Sequence, residues 1–188
     1  MDKIRIDFFD ILGYLVPGTT LLIICWIAAD SKVSSVWQVY DSIHAVDKKS
    51  IFIGLFLSYI LGFSLHILGD FLYTLYRNVF NRTALINTSP LSTADKWTLI
   101  REHGEKHILL LERWYALRAL AQNLNAISLI GIFICLYKWR VFGYFEWGLL
   151  ALIFICAFVI FLKQAEAFHK VLNTDMQSVL VKLNLEAR

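Results

Sequence analysis

Residues 51–70 read IFIGLFLSYILGFSLHILGD, an apolar run with no Asp, Glu, Lys or Arg until Asp70 closes it. A helix of this length rises about 30 Å, the thickness of a bilayer's hydrocarbon core, so the stretch reads as a membrane-spanning helix. Within it Gly54, Ser58, Gly62, His66 and Asp70 fall at every fourth position, and Thr74 continues the series, which puts them on one slowly drifting face. Gly54, Ser58 and Gly62 form the small-xxx-small pattern that lets helices approach closely in lipid, and they are expected at a helix-packing or oligomer interface. Plain packing is the commoner meaning of such a stripe. Its polar end is a different matter. Ionisable groups at membrane depth are costly and face a bundle interior or water, so His66 and Asp70, one turn apart, are candidates for a gate or a pore lining.

The rest of the chain carries the same message. Of 188 residues, 58% are hydrophobic and 18% charged, against roughly 45–50% and about 25% in soluble domains, an excess that a water-soluble core of this size does not hide. Three more spans are expected at residues 11–29, 119–137 and 144–162. In the first, Pro17-Gly18 should either kink the helix or begin it. Residues 77–122 mix charged and apolar side chains; Ser89-Pro90 marks a break, and Ser92-Thr93-Ala94-Asp95 resembles a helix N-cap, so a helix should start near Thr93 and lead into the third span. Residues 138–143 read as a short turn, flanked by Tyr137, Trp139, Tyr144 and Trp147, rings that favour the headgroup level. Cys25, Cys135 and Cys156 all lie in apolar runs and read as small hydrophobes. The expected fold is all-α: one multi-pass membrane domain of four transmembrane helices, with a cytoplasmic helical segment between the second and third and a periplasmic loop at residues 30–50.

Orientation follows from the basic residues. The amino-terminal tail, residues 77–122 and the carboxy-terminal tail hold thirteen Lys and Arg, and the two intervening connections hold five. Positive-inside bias puts the thirteen, and with them both termini, in the cytoplasm of a cell whose inner membrane holds the chain. That topology accounts for the net charge of +3 without nucleic acid, which is not expected as a partner.

Few constellations suggest chemistry. His103 and His107 are one turn apart but lack a third metal ligand at a recognisable spacing. Arg101 and His107 fit the permissive arginine-to-histidine spacing of HEPN ribonucleases, though a solvated helix face with mixed charges explains them better. The run from Glu112 to Arg118, followed by Asn123, Asn125 and Ser128, places polar groups where lipid begins. Snorkelling arginines and interhelical hydrogen bonds are the plain reading, and a polar ring with Asn123 and Asn125 at the mouth of an oligomeric channel is the sharper one. Arg101, Arg113 and Arg118 are candidates for docking a partner. No nucleophile with a base, phosphate-cradling glycine loop or carboxylate pair is visible, so neither an enzyme, a cofactor nor a metal is expected.

The opening Phe9-Asp10-Ile11-Leu12-Gly13-Tyr14-Leu15-Val16-Pro17-Gly18 and the Glu112 to Asn125 run resemble small multi-pass inner-membrane components of bacterial anti-phage defence systems. These include the Kiwa-type membrane subunit, the Hailong-type effector and the membrane accessories of type VI CRISPR loci. The resemblance implies a homo-oligomer that senses membrane disturbance and docks or regulates a cytosolic protein partner. The alternatives are a pore-forming or ion-channel effector and a structural membrane assembly factor.

Overall fold

The computed structural model of the chain describes residues 8–30, 33–44, 47–80 and 93–183. They form six helices, with no strand among the described residues: α1 (Phe8–Ala29), α2 (Val36–His44), α3 (Lys48–Phe80), α4 (Thr93–His103), α5 (Glu105–Phe142) and α6 (Phe145–Lys182). The Ser89-Pro90 break and the Ser92 cap lie outside the described residues.

Length sets the architecture. α5 and α6 each have 38 residues; at about 1.5 Å per residue each reaches about 57 Å, nearly twice a hydrocarbon core of about 30 Å. Helices α3, α5 and α6 are long and apolar enough to cross a membrane, whereas the apolar part of α1, Gly13–Ala29, is shorter. α5 is central. It packs along α6 on one side and against α1 and α3 on the other, with α1 laid along α3. Four apolar clusters stack along its length. At the Gly143 end Trp147, Ala151 and Cys135 meet Ile27, Val33 and Val39; then come Ile24, Leu65, Ala126 and Ile127; then Tyr73, Ala121 and Ala165. At the far end, Ile100 of α4, Leu111 of α5 and Leu172, Met176 and Leu180 of α6 close a small three-helix head.

Three expectations are revised, and one of two alternatives is removed: α1 does not begin at Pro17 but runs through it from Phe8. The turn expected over residues 138–143 shrinks to Gly143 and Tyr144, because nothing stops α5 before Gly143, whose φ of 72° ends it in the left-handed conformation with its N–H on the Trp139 carbonyl. The loop at residues 30–50 contains α2 and the start of α3. The segment Arg101–His107 is not one helix face, because Gly104 separates α4 from α5. A Cβ there would stand 3.0 Å from Leu183 Cδ1 and 3.1 Å from the Ile100 carbonyl, so the glycine lets the chain fold tightly under the end of α6.

Candidate functional site

The small-residue stripe divides. A Cβ on Gly62 would overlap the Tyr14 carbonyl of α1, and one on Gly18 of α1 would overlap the Ser58 carbonyl of α3. The two backbones touch because neither carries a side chain at the crossing. Ser58 is buried there, but Gly54, two turns before Gly62, has nothing within 4 Å of its missing Cβ. Next along the stripe, the His66 ring stands edge-on to Tyr14 at 6.4 Å, with a buried Nδ1 that has no hydrogen-bond partner among the described residues.

Asp70 engages α5, accepting from Arg118 Nη2 at 3.3 Å and Gln122 Nε2 at 3.4 Å. This pair opens a polar belt where α3, α5 and α6 leave their most apolar stretches. The Arg118 guanidinium lies over the Tyr73 ring at 5.2 Å, and Tyr73 stands edge-on to His169 at 5.8 Å. His169 Nε2 receives Arg77 Nη1 at 3.2 Å and Asn173 Nδ2 at 3.1 Å. Both partners donate, so Nε2 holds the lone pair and Nδ1 the proton. His169 lies two turns beyond Leu162, where the uninterrupted apolar run of α6 ends. Burial pushes its pKa down to about 4; Arg118 and Arg77 add to the shift, and Asp70 and Glu166 oppose it. The imidazole is therefore neutral at physiological pH. Beside it, Tyr76 donates to Glu166 at 3.4 Å, and Glu166 pairs with Lys170 at 2.7 Å.

Asn123 has a local cause. Pro17 has no N–H, so the Gly13 carbonyl one turn back lacks its helical donor, and Asn123 Nδ2 supplies one at 3.1 Å. Asn125 Nδ2 donates instead to the Phe158 carbonyl of α6 at 2.8 Å. The two asparagines are buried and leave α5 toward different helices, so within one chain they are brought into no common ring. Of the three docking candidates, Arg101 is exposed over the Trp97 ring and Arg113 is exposed, while Arg118 is drawn into the belt.

Sequence reasoning missed a tie at the Gly143 end. Lys138, taken for a turn residue, is buried near the end of α5 and donates to the carbonyls of Asp30 at 2.9 Å and Val33 at 3.2 Å. Trp147 Nε1 donates to Ser34 O at 2.7 Å, and the Val36 N–H reaches Glu146 Oε2 at 3.4 Å. These bonds fasten the approach to α2 onto the α5–α6 hairpin. The available signal was that no helix breaker separates Lys138 from Gly143. His169 was also missed: it sits 92 positions from Arg77, and no spacing rule joins them.

Among the described residues no group of His, Cys, Asp or Glu is gathered that could hold a metal ion. Compared with family models, curated proteins and solved structures, the chain matches none of them.

Proposed function

We propose that the chain crosses a bacterial inner membrane four times, with both termini in the cytoplasm, and serves there as a sensor or anchoring subunit that docks a cytosolic protein partner. It would do so as a homo-oligomer, in the manner of the membrane components of anti-phage defence systems that its sequence resembles. The observation that carries this reading is the head. α5 and α6 are far longer than a bilayer needs, and their surplus, with α4, encloses a separate core around Ile100, Leu111, Met176 and Leu180. On the head's outside, Leu109 is 64% exposed, and Leu110, Tyr115, Arg101 and Arg113 are exposed with it, a mixed apolar and basic surface of the kind interfaces use.

The outward faces of α3 and α6 support embedding in lipid: Phe52 and Ile67 are each more than three-quarters exposed, and Ile153 and Ile160 more than half. A pore within one chain is less well supported, because Gln122, Asn123 and Asn125 are buried and bonded to neighbouring helices rather than turned to a lumen. Reversing charge on the head with Arg101→Glu and Arg113→Glu should abolish co-purification of the cytosolic partner and leave membrane insertion unchanged. Reporter fusions at Lys96 and after Gly143 should report opposite sides of the membrane. Ion flux through the purified chain in liposomes, with partner binding unaffected by the charge reversals, would replace this reading with the channel.

A further inference from the structure

The membrane reading leaves one feature without a role. Between α1, α2, α5 and α6, near the Gly143 end, lies a partly open cavity of about 220 Å³. Its walls include Ile23 and Ile27 of α1, Ile134 of α5, and Leu150 and Phe154 of α6. Val36 and Val39 of α2 complete the lining. We propose that this cavity holds one acyl chain of a bilayer lipid, and that α2 is seated by it; the proposal rests on the chain's being embedded in a membrane.

Three observations select that occupant. The first is chemical. The polar groups on the wall are engaged elsewhere: Thr20 Oγ1 donates to the Val16 carbonyl and Trp147 Nε1 to the Ser34 carbonyl. Water needs two to four polar partners and finds at most the acceptor side of the Thr20 hydroxyl and the weakly polar Cys135 thiol, so the space favours an apolar occupant. The second is size. An apolar cavity of roughly 150 Å³ accepts a molecule as large as benzene, so this one has room for a run of methylenes, while its lining, which carries no cationic side chain, is unsuited to a phosphate headgroup. The third is depth. The cavity lies just inside Trp139 and Tyr144, exposed rings at the hairpin turn of the kind that mark the headgroup level. At that level lipid tails are the abundant apolar species.

The roof fits the same occupant. α2 turns Val36 and Val39 to the cavity and leaves Trp37, Tyr40 and Ile43 exposed, aromatic and apolar side chains suited to lying among headgroups. It is held by its polar approach to Lys138, Glu146 and Trp147, and by its apolar face to whatever fills the cavity. An acyl chain in the cavity therefore couples the packing of that leaflet to the position of α2. This deepens the sensor reading by naming what is sensed.

The test is photolabelling in nanodiscs of phosphatidylethanolamine and phosphatidylglycerol doped with a phospholipid that carries a diazirine along one acyl chain, with adducts mapped by peptide mass spectrometry. Adducts are expected at Leu150, Phe154 and Ile134 as well as at the outward Ile153 and Ile160. Filling the cavity with Cys135→Phe should reduce the first set several-fold and leave the second unchanged. Ile27→Phe serves as an independent filling variant if the first does not keep its helical content. Labelling of the wall no higher than at Leu172 or Met176 in the head, or unaffected by either filling variant, would overturn the proposal. So would wall labelling by a water-soluble apolar diazirine when the lipid probe gives none. Loss of labelling at Ile153 and Ile160 too would instead overturn the membrane reading, so the two failures are distinguishable.

Discussion

The bond between Asn123 and the Gly13 carbonyl exists because Pro17 cannot make one, and that dependence is measurable. Asn123→Leu keeps the branching and the number of side-chain heavy atoms and leaves the carbonyl without a donor. A net hydrogen bond is worth about 0.5–1.5 kcal/mol, and a buried unsatisfied group costs about 1–3 kcal/mol. Asn123 Oδ1 is itself buried without a hydrogen-bond partner among the described residues, and its removal offsets part of that loss. The expected destabilisation is therefore about 1–2 kcal/mol. Pro17→Ala restores a backbone N–H one turn after Gly13, so in that background the asparagine becomes redundant and Asn123→Leu should cost almost nothing. The coupling energy is expected near 1 kcal/mol, within the range of about 0.6 on average to about 1.7 at most found for hydrogen bonds between membrane helices. Reversible unfolding in mixed micelles of the parent, both single variants and the double variant measures it. Costs that add to within about 0.5 kcal/mol would show that Asn123 does not stand in for the missing donor.

Gly62→Ala should destabilise the α1–α3 contact by about 1–3 kcal/mol, since a backbone carbonyl cannot move aside as a side chain can, whereas Gly54→Ala, which meets nothing, should be neutral or stabilising in the same melt. Lys138→Met removes two charge-assisted bonds worth about 1.5–3 kcal/mol each before relief of desolvation is counted; amide exchange over Val36–His44 should accelerate by an order of magnitude or more while the middle of α6 is unchanged, and equal exchange in both proteins would remove Lys138 as the fastening. His169 has a folded pKa of about 4, below its ordinary 6.5. The stability of the α3–α6 contact at the belt should therefore be full above about pH 6.5, decline as pH falls and level off below about 4, with His169→Gln flattening the profile and an unchanged slope refuting the assignment. Asp70→Asn should loosen the Arg118 contact without producing ion flux in liposomes; flux on neutralising it would revive a gate at this position.

How much of this was legible depends on the distance over which each feature is encoded. Apolar length is local, and it revealed α3 and the membrane-length parts of α5 and α6 directly. The start near Thr93 was likewise readable from its own neighbours. α2 was readable but overlooked: Val36, Val39, Tyr40 and Ile43 follow helical spacing, in a stretch too short to stand out against the spans around it. Gly104 was passed over because the charges about it read as one continuous surface. The stripe from Gly54 to Gly62 could be seen, but not that Gly62 meets α1 while Gly54 faces open space, since spacing fixes a shared face and says nothing of what lies opposite. The pairings of Asn123 with Gly13 and of Lys138 with Asp30 and Val33 span more than a hundred positions and exist only once the helices are assembled.

The turn at Gly143 and Tyr144 joins two helices that run without interruption from one end of the molecule to the other. With no hinge along its length, this hairpin behaves mechanically as a stiff rod. Pivoted near the turn, a tilt of about 5° carried over its roughly 57 Å shifts the opposite tip by about 5 Å, one helical turn. A small rearrangement around Lys138 and Trp147 would thus arrive at Ile100 and Leu180 enlarged, and the amplification needs no relay of side chains between them.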